Sequence, residues 1–339
     1  MTEFTQETVQ QRCLYTGESW QHAQRALSRL PSGAGPLPSA QALAQERLDA
    51  RVLLGLLESR NVYTRFPLGI TAVHPERTRV TLCVESEERA AEILFNLLPA
   101  YPPGSEVYGV PGLRIVRRSQ TGIELRVLGA SARLRLTGLP STVWRSAESR
   151  MLDEWLDGVQ HCWRSSPRGW TEAEREHQSM WVDGDGRFVR VQRRGAWLGS
   201  GLLRRIALLH TVANTFLVDG YRGAAFDAAR LVLRCSQLPD QGPGPHHIIS
   251  ALLDPVFGLP LELTRFRGDT DESHVGKQDF TLADMGKTVL LELQTARERP
   301  PFSLPTDVWQ AILRRLPSEG FPNARAVSVF AGLRVGSGT

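Results

Sequence analysis

The spacing of hydrophobic residues changes several times along the chain, and each change predicts a different secondary structure. Between Glu7 and Leu30, and again between Gln41 and Ser59, hydrophobic residues recur every three or four positions, as in amphipathic helices. The first of these segments is interrupted at Thr16-Gly17. The proline- and glycine-containing stretch 31–40 between them predicts a loop. Because acidic and basic residues balance here, we interpret both helices as packing elements without a functional site.

After residue 64 the spacing shortens to two. Hydrophobic and polar residues alternate over Phe66–Val73 and Arg79–Val84, whereas Glu87–Leu98 returns to helical spacing. More alternating stretches follow as far as Leu136, separated by glycine and serine turns. This order predicts an antiparallel sheet with at least one packing helix.

Arginine is frequent on the later strands of this sheet, and alternation places several arginines on one face. They are Arg114, Arg117, Arg118, Arg126, Arg133 and Arg135. A sheet with one solvated face shows this pattern by default, and nucleic-acid binding on that face is an alternative that we keep open. RNA-recognition sheets also need exposed aromatic residues, and these strands offer none beyond Tyr108.

A long helix is predicted from Ser141 to Arg164, where tryptophans and other hydrophobic residues fall in line. Such a stripe usually marks core or domain-interface packing. The C-terminal half mixes helices and strands again, including a hairpin over Phe280–Leu293, a helix over Thr306–Leu316 and a final strand over Ala326–Val335. The fold class that we predict is α+β, with two domains that each hold a mainly antiparallel sheet. Their bounds are 1–140 and 181–339, and the connecting helix lies in 141–180.

Length and composition support a protein of this kind. The chain has 339 residues, more than one domain usually contains, with 41% hydrophobic and 22% charged residues as in soluble globular proteins. No apolar run is long enough to cross a bilayer, and the N-terminus lacks the layout of a signal peptide. We therefore expect a cytoplasmic protein without a membrane partner.

Cysteine and metal chemistry add little to this picture. Cys13, Cys83, Cys162 and Cys235 lie far apart without a CxxC pair, so we interpret them as free thiols in packed positions. The histidines and the acidic residues complete no recognisable set of metal ligands. We predict no metal and no cofactor.

The densest block of positive charge lies between Trp181 and Gly220. The stretch Asp183-Gly184-Asp185-Gly186 supplies the turn of a predicted β-hairpin. Because no acidic residue occurs between Gly186 and Val218, the arginines of this block raise the local potential.

A helix is predicted to follow, beginning at Leu202 with Ser200 as its N-cap and ending at Gly220. Its free N–H groups, with Arg204 and Arg205 in the first turns, would form an anion site. The candidate anion-binding residues are Arg187, Arg193, Arg194, Trp197, Gly199, Ser200, Gly201, Arg204 and Arg205. The alternative is a solvated basic hairpin beside an ordinary core helix.

These residues lead us to expect a non-catalytic cytoplasmic protein that binds an anionic partner, with nucleic acid or another polyanion as the first candidate. The arginines would contact phosphates, and Trp197 would stack on a base.

Two alternatives stay open. One is an enzyme for a phosphorylated small molecule, with Asp183, Asp185 or His210 as the acid–base group, although the sequence holds no GxSxG, HExxH or familiar Cys/His pairing. The other is a protein-interaction or assembly subunit, whose tryptophan-bearing helix at 141–164 contacts a protein partner.

Overall fold

The computed structural model of the chain describes residues 4–31, 33–57, 66–155, 157–181, 190, 193–211, 219–225, 228–236, 246–268 and 278–296. Several predicted features lie outside these residues: the turn at 183–186, Arg187, the helix at 306–316 and the strand at 326–335.

Three helices open the chain, and the N-terminal one of the prediction is divided in two. They are α1 (Gln6–Thr16), α2 (Trp20–Ser28) and α3 (Leu43–Leu57). The hydroxyl of Thr5 caps α1, and Gly17 ends it with a φ of 72°. This left-handed conformation is easily adopted by glycine and is not compatible with a continuous helix, so the chain turns before α2.

The first sheet has five strands. They are β1 (Ile70–Glu76), β2 (Arg79–Val84), β4 (Leu113–Ser119), β5 (Gly122–Val127) and β6 (Arg133–Thr137), in the order β1-β2-β6-β5-β4. Neighbouring strands are antiparallel except β2 and β6, which are parallel. The chain between β2 and β4 contains helix α4 (Glu87–Leu97). A prediction of a mainly antiparallel sheet with a packing helix is therefore confirmed here.

The two faces of this sheet differ in character because side chains alternate along each strand. On β2, Val80, Leu82 and Val84 are buried in the main hydrophobic cluster. Thr81 and Cys83 lie on the opposite, polar face. This polar face becomes important for the candidate site.

The prediction of one helix over 141–164 is wrong, because the observed helix is shorter. Helix α5 (Ser141–Asp153) ends early, and Trp155 stacks on Phe95 with ring centroids 4.4 Å apart. Gly158 has a φ of 83°, which an α-helix cannot accommodate. The short strands β3 (Ala100–Tyr101) and β7 (Gln160–His161) then pair with each other.

Two more helices follow, α6 (Cys162–Ser165) and α7 (Glu172–Trp181). Trp181, which we expected in the first strand of the basic hairpin, is therefore the last residue of a helix. Helix α8 (Ala196–Leu203) and a 3-10 helix (Ile206–Thr211) come next, where one helix over 202–220 was predicted.

The second sheet also has five strands. They are β8 (Asp219–Ala225), β9 (Ala228–Ser236), β10 (Glu262–Gly268), β11 (Gln278–Ala283) and β12 (Val289–Ala296), in the order β10-β11-β12-β9-β8. Only β12 and β9 are parallel among these strand pairs. The predicted turn between β11 and β12 is confirmed, and the Asp284 carboxylate accepts hydrogen bonds from Thr288 and Val289 there. Helix α9 (His246–Leu252) precedes this sheet's last three strands.

Helices α3 and α8 connect the two sheets. They pack tightly against each other, and α3 also contacts β6 of the first sheet and β8 of the second. Buried residues of both sheets, such as Leu82 and Leu231, belong to one hydrophobic cluster. The α+β class is thus confirmed, whereas the division into domains 1–140 and 181–339 stays a prediction.

Close contact between α3 and α8 depends on Gly199, and this generates the first prediction. A Cβ atom at Gly199 would lie 2.7 Å from the Cβ of Ala50. We expect Gly199→Ala to lower the free energy of unfolding by about 1–3 kcal/mol in urea titrations, because overpacking must push the helices apart. Gly35→Ala is the control, since a Cβ there meets nothing within 4 Å. Equal stability of the two variants would contradict the close packing.

Candidate functional site: a basic cleft beside helix α2

The glycine-rich segment that was expected to open a helix lies in the middle of one. Helix α8 begins at Ala196, and Ser200 does not cap it. Instead the Ser200 hydroxyl donates to Oδ2 of Asp49 over 2.7 Å. Gly199 packs on Ala50, and a Cβ at Gly201 would lie 2.5 Å from Leu259. The interpretation as an anion-binding helix start is therefore wrong, because these glycines serve close packing.

Arg204 was expected to face solvent, and it is instead fully buried. Its Nε donates to Oδ2 of Asp49 over 2.8 Å. Its Nη1 donates to the carbonyl oxygens of Pro38 and Glu76 over 2.9 and 2.8 Å. The guanidinium is buried because a fully buried carboxylate on α3 supplies the opposite charge.

Arg205 is also buried rather than exposed. Its Nε donates to the carbonyl of Phe257 over 2.6 Å and its Nη2 to that of Gly258 over 2.8 Å. Burial lowers the pKa of Arg205 to about 10, so the side chain remains charged at neutral pH. It holds the chain at 257–258 in place and presents no charge to a ligand.

The other described residues of the predicted site differ in exposure. Arg194 is exposed, Arg193 is half-buried, and half-buried Trp197 packs against the hydrophobic cluster. The members of the predicted set that the structure describes therefore do not share one open face.

A different basic surface lies between α2 and the polar face of the first sheet. Here a cleft encloses about 700 Å³, in the range of ligand-binding pockets. Arginines line it from three parts of the fold: Arg25 in α2 with Arg29 directly after it, Arg77 in the turn between β1 and β2, and Arg135 in β6. We call this surface the basic cleft.

The basic cleft keeps its positive charge because its acidic residues are already paired. Glu18 binds the buried Arg12, and Glu76 binds Arg79 over 2.6 Å. The four arginines named above make no salt bridge within the part of the chain that the structure describes. Unpaired guanidiniums converging on one concavity raise its potential.

Local structure explains how these arginines reach the basic cleft. Arg25 and Arg29 are four residues apart, which places them on one side of the helix, while Ala23 and Leu27 are buried on its other side. On the sheet, Arg135 is the register partner of Thr81 across the parallel pair β2 and β6. The helical spacing of α2 places arginines on one wall of the basic cleft, and the alternation of side chains along β6 places Arg135 on the opposite wall.

A chain of hydrogen bonds runs along the wall formed by β1. Nδ1 of His74 lies 2.8 Å from Oε1 of Glu18, and Nε2 lies 3.3 Å from the sulfur of Cys83. Burial opposes protonation of His74, but the hydrogen bonds to Cys83 and Glu18 outweigh it and raise its pKa to about 9. His74 therefore adds a positive charge to the basic cleft at neutral pH.

Glu18 is the buried anchor of this chain. Burial alone would raise its pKa, but hydrogen bonds from His74 and Arg12 outweigh that effect and lower it. The hydroxyl of Thr16 donates to the same carboxylate over 3.2 Å. Its ionised form is thus held by three partners.

These side chains do not form a metal centre. Within the described ranges, no group of three or more His, Cys, Asp and Glu residues is placed to hold a metal ion. Likewise, the helices in those ranges are too short or too polar to span a membrane.

Comparison with known proteins adds no functional assignment. No protein-family model matches the chain, and neither the curated proteins nor the solved structures gave a match.

Sequence reasoning missed the basic cleft because it treated the N-terminal helices as packing elements. The signal was present in part: Arg25 and Arg29 have helical spacing, and Arg135 belongs to the arginine-rich strands. What the sequence lacks is the placement of α2 over that face. The contact between His74 and Cys83 similarly depends on the register of β1 and β2, in which His74 is paired with Thr81.

The burial of Arg204 predicts that this side chain contributes to the stability of the fold. We expect Arg204→Ala to cost about 3–5 kcal/mol in the free energy of unfolding, because it leaves the Asp49 carboxylate buried without its counter-charge. Arg194→Ala is the control and should change that free energy by less than about 0.5 kcal/mol. Chemical denaturation measures both, and similar small effects would show that the Arg204 pair is not structural.

The raised pKa of His74 predicts a pH-dependent stability. A histidine that binds its proton more tightly in the folded state stabilises the fold at low pH. This contribution is complete below the ordinary pKa of 6.5 and is lost as the pH rises through about 9. Since one pKa unit corresponds to about 1.4 kcal/mol, the loss is at most about 3.5 kcal/mol.

The measurement is urea unfolding of the wild type and His74→Gln between pH 6 and 10. The stability difference between them should shrink with rising pH. A difference that is constant or grows would contradict a protonated His74.

Proposed function

We propose that this protein is a cytoplasmic protein that binds a phosphate-bearing polyanion, with nucleic acid as the favoured partner, in the basic cleft. The observation that carries the proposal is the convergence of Arg25, Arg29, Arg77 and Arg135 on one concave surface. The two acidic residues of that surface are already paired with two further arginines, Arg12 and Arg79. The proposed partner is the one expected from the sequence, whereas the proposed surface is different.

Arginine favours a phosphate ligand for a geometric reason. The planar guanidinium donates parallel hydrogen bonds to two phosphate oxygens, and it stays charged at any physiological pH. Because Arg25 and Arg135 lie on opposite walls, a ligand with several phosphates would satisfy more of these donors than one with a single phosphate.

An exposed ring favours nucleic acid over a simple polyphosphate. His22 lines the basic cleft on α2, exposed to solvent, and its ring centroid lies 5.2 Å from that of His74. Histidine rings can stack on unpaired bases of single strands. This arrangement is consistent with a single-stranded ligand whose phosphates contact the arginines.

Two other hypotheses from the sequence remain proposals: a second polyanion surface and a protein partner. The block at Arg187, Arg193 and Arg194 stays a proposed polyanion surface, and Arg194 is exposed as such a role requires. A protein partner for the half-buried Trp155 and its neighbours also stays a proposal. Residues 199–205 are buried and do not form a phosphate cradle that a ligand could reach.

The test is a salt titration of binding to fluorescent single-stranded DNA and RNA of random sequence. Affinity should fall steeply with salt, because arginines that neutralise phosphates release counterions. Arg25→Ala combined with Arg29→Ala should lower the affinity and reduce the logarithmic salt slope by about 0.7 for each phosphate that is no longer neutralised. Fluorescence anisotropy measures both quantities.

Two double variants serve as controls. Arg145→Ala with Arg150→Ala removes two exposed arginines of α5, which does not line the basic cleft, and should leave binding unchanged. Arg193→Ala with Arg194→Ala tests the block that the sequence favoured. A loss with that variant and none with Arg25 and Arg29 would move the site to that block. Absence of binding at low salt would refute the proposal.

A further inference from the structure

Three side chains beside the basic cleft are arranged as nucleophile, base and orienting acid. Cys83 is half-exposed on the polar face of β2, and its sulfur lies 3.3 Å from Nε2 of His74. The other ring nitrogen lies 2.8 Å from a carboxylate oxygen of Glu18. Glu18 is buried and bound by Arg12 on its far side.

We propose that Cys83, His74 and Glu18 form a nucleophilic centre in which the Cys83 sulfur attacks the carbonyl carbon of a negatively charged acyl ester or thioester. The inference uses the charge of the basic cleft and not the proposed binding of nucleic acid, so either proposal can fail without the other.

The geometry follows the logic by which enzymes activate cysteine and serine. The nucleophile contacts one nitrogen of an imidazole, and a carboxylate fixes the ring through the other nitrogen. In the hairpin of β1 and β2, His74 is paired with Thr81, so Cys83 is its diagonal neighbour on the same face. A regular strand pair thus holds the two reacting groups in contact.

Charge supports the same conclusion. His74 has a pKa of about 9, so at neutral pH its Nε2–H donates toward the sulfur of Cys83. A cation within hydrogen-bond distance of a cysteine sulfur stabilises negative charge on that sulfur during attack. For Cys13, burial and the nearby Glu18 charge raise the pKa of the thiol.

The reaction balances with water as the co-reactant. The Cys83 thiolate forms a bond to the carbonyl carbon, the bond from that carbon to the leaving oxygen or sulfur breaks, and His74 gives its Nε2 proton to the leaving group. Neutral His74 then takes a proton from water, whose oxygen attacks the acyl-cysteine. Cleavage of the carbon–sulfur bond releases a carboxylic acid and restores the thiolate and the protonated His74.

The preference for a negative charge comes from the neighbouring strand. Cys83 is the register partner of Thr137 on β6, and Arg135 lies two residues before Thr137 on the same face. Arg135 lines the basic cleft without a salt bridge among the described residues. An acyl chain that ends in a carboxylate could therefore reach Arg135 while its carbonyl lies at Cys83.

The test uses two activated esters with the same leaving group, para-nitrophenyl hemisuccinate and para-nitrophenyl acetate. Release of para-nitrophenolate gives the rate, and peptide mass spectrometry locates the acyl group. At pH 7, Cys83 should be acylated at least about tenfold faster than the half-exposed Cys13 of the same molecules. Cys83→Ser should remove the fast phase, and Arg135→Ala should lower the ratio of succinyl to acetyl transfer.

Removal of the His74 imidazole should slow the acylation of Cys83 and not that of the other thiols. His74→Gln should slow acylation of Cys83 by about 100-fold. Acylation of Cys13 should change little, and added imidazole should restore part of the Cys83 rate. Equal acylation of the two cysteines in the wild type overturns the proposal, and so does an unchanged rate in His74→Gln. The comparison of Cys83 with Cys13 in the wild-type protein tests the proposal even if the His74→Gln variant fails to fold.

Glu18 is a positioning residue in this scheme, and its test has a spectroscopic readout. In NMR titrations the His74 ring should titrate near pH 9 in the wild type and at lower pH in Glu18→Gln. Besides Glu18, the groups that face His74 are Cys83 from β2 and His22 from α2. Slower acylation of Cys83 together with the lower His74 pKa supports the role, whereas a lower pKa with an unchanged rate contradicts it.

Discussion

The buried ion pair of Asp49 and Arg204 is the interaction on which the arrangement of this protein depends. Asp49 accepts hydrogen bonds from Gln45 on its own helix and from Ser200 and Arg204 on α8. Taking two charges out of water is costly. Burial raises the pKa of Asp49 even though Arg204, Gln45 and Ser200 all favour its ionised form. The pair thereby fixes how α3 and α8 cross, and with them the contact between the two sheets.

The same network extends to the walls of the basic cleft. Arg204 donates to the carbonyl of Glu76 at the end of β1, and Gln45 exchanges two hydrogen bonds with the backbone of Arg133 at the start of β6. These strands carry His74 and Arg135. Buried polar contacts therefore position the strands that carry the charges of the basic cleft. Arg25, Arg29, Arg77 and Arg135 make no salt bridge among the described residues and leave their charge at the cleft surface.

Glu18 links the binding surface to the thiol chemistry that we propose. It neutralises Arg12 on one side and holds His74 on the other, and His74 reaches Cys83. One buried carboxylate thus balances the positive charge of Arg12 and favours a second positive charge on His74. His74 lines the basic cleft together with the arginines, and through its ring the cleft is connected to the Cys83 sulfur.

Local spacing of hydrophobic residues determined most of the described helices and strands, and with them the α+β class, because amphipathic periods depend on near neighbours alone. The same spacing led to wrong predictions for the helices at 141–164 and 202–220, because Gly158 and the packing of α8 determine the structure there. Only the tertiary structure decided which charges are exposed. Arg204 is buried against a carboxylate that lies 155 residues earlier in the sequence. His74 contacts Cys83 because of the register of β1 and β2, and it contacts Glu18 because of where the N-terminal helices lie. Such pairings depend on distance in space, which no local pattern of residues specifies.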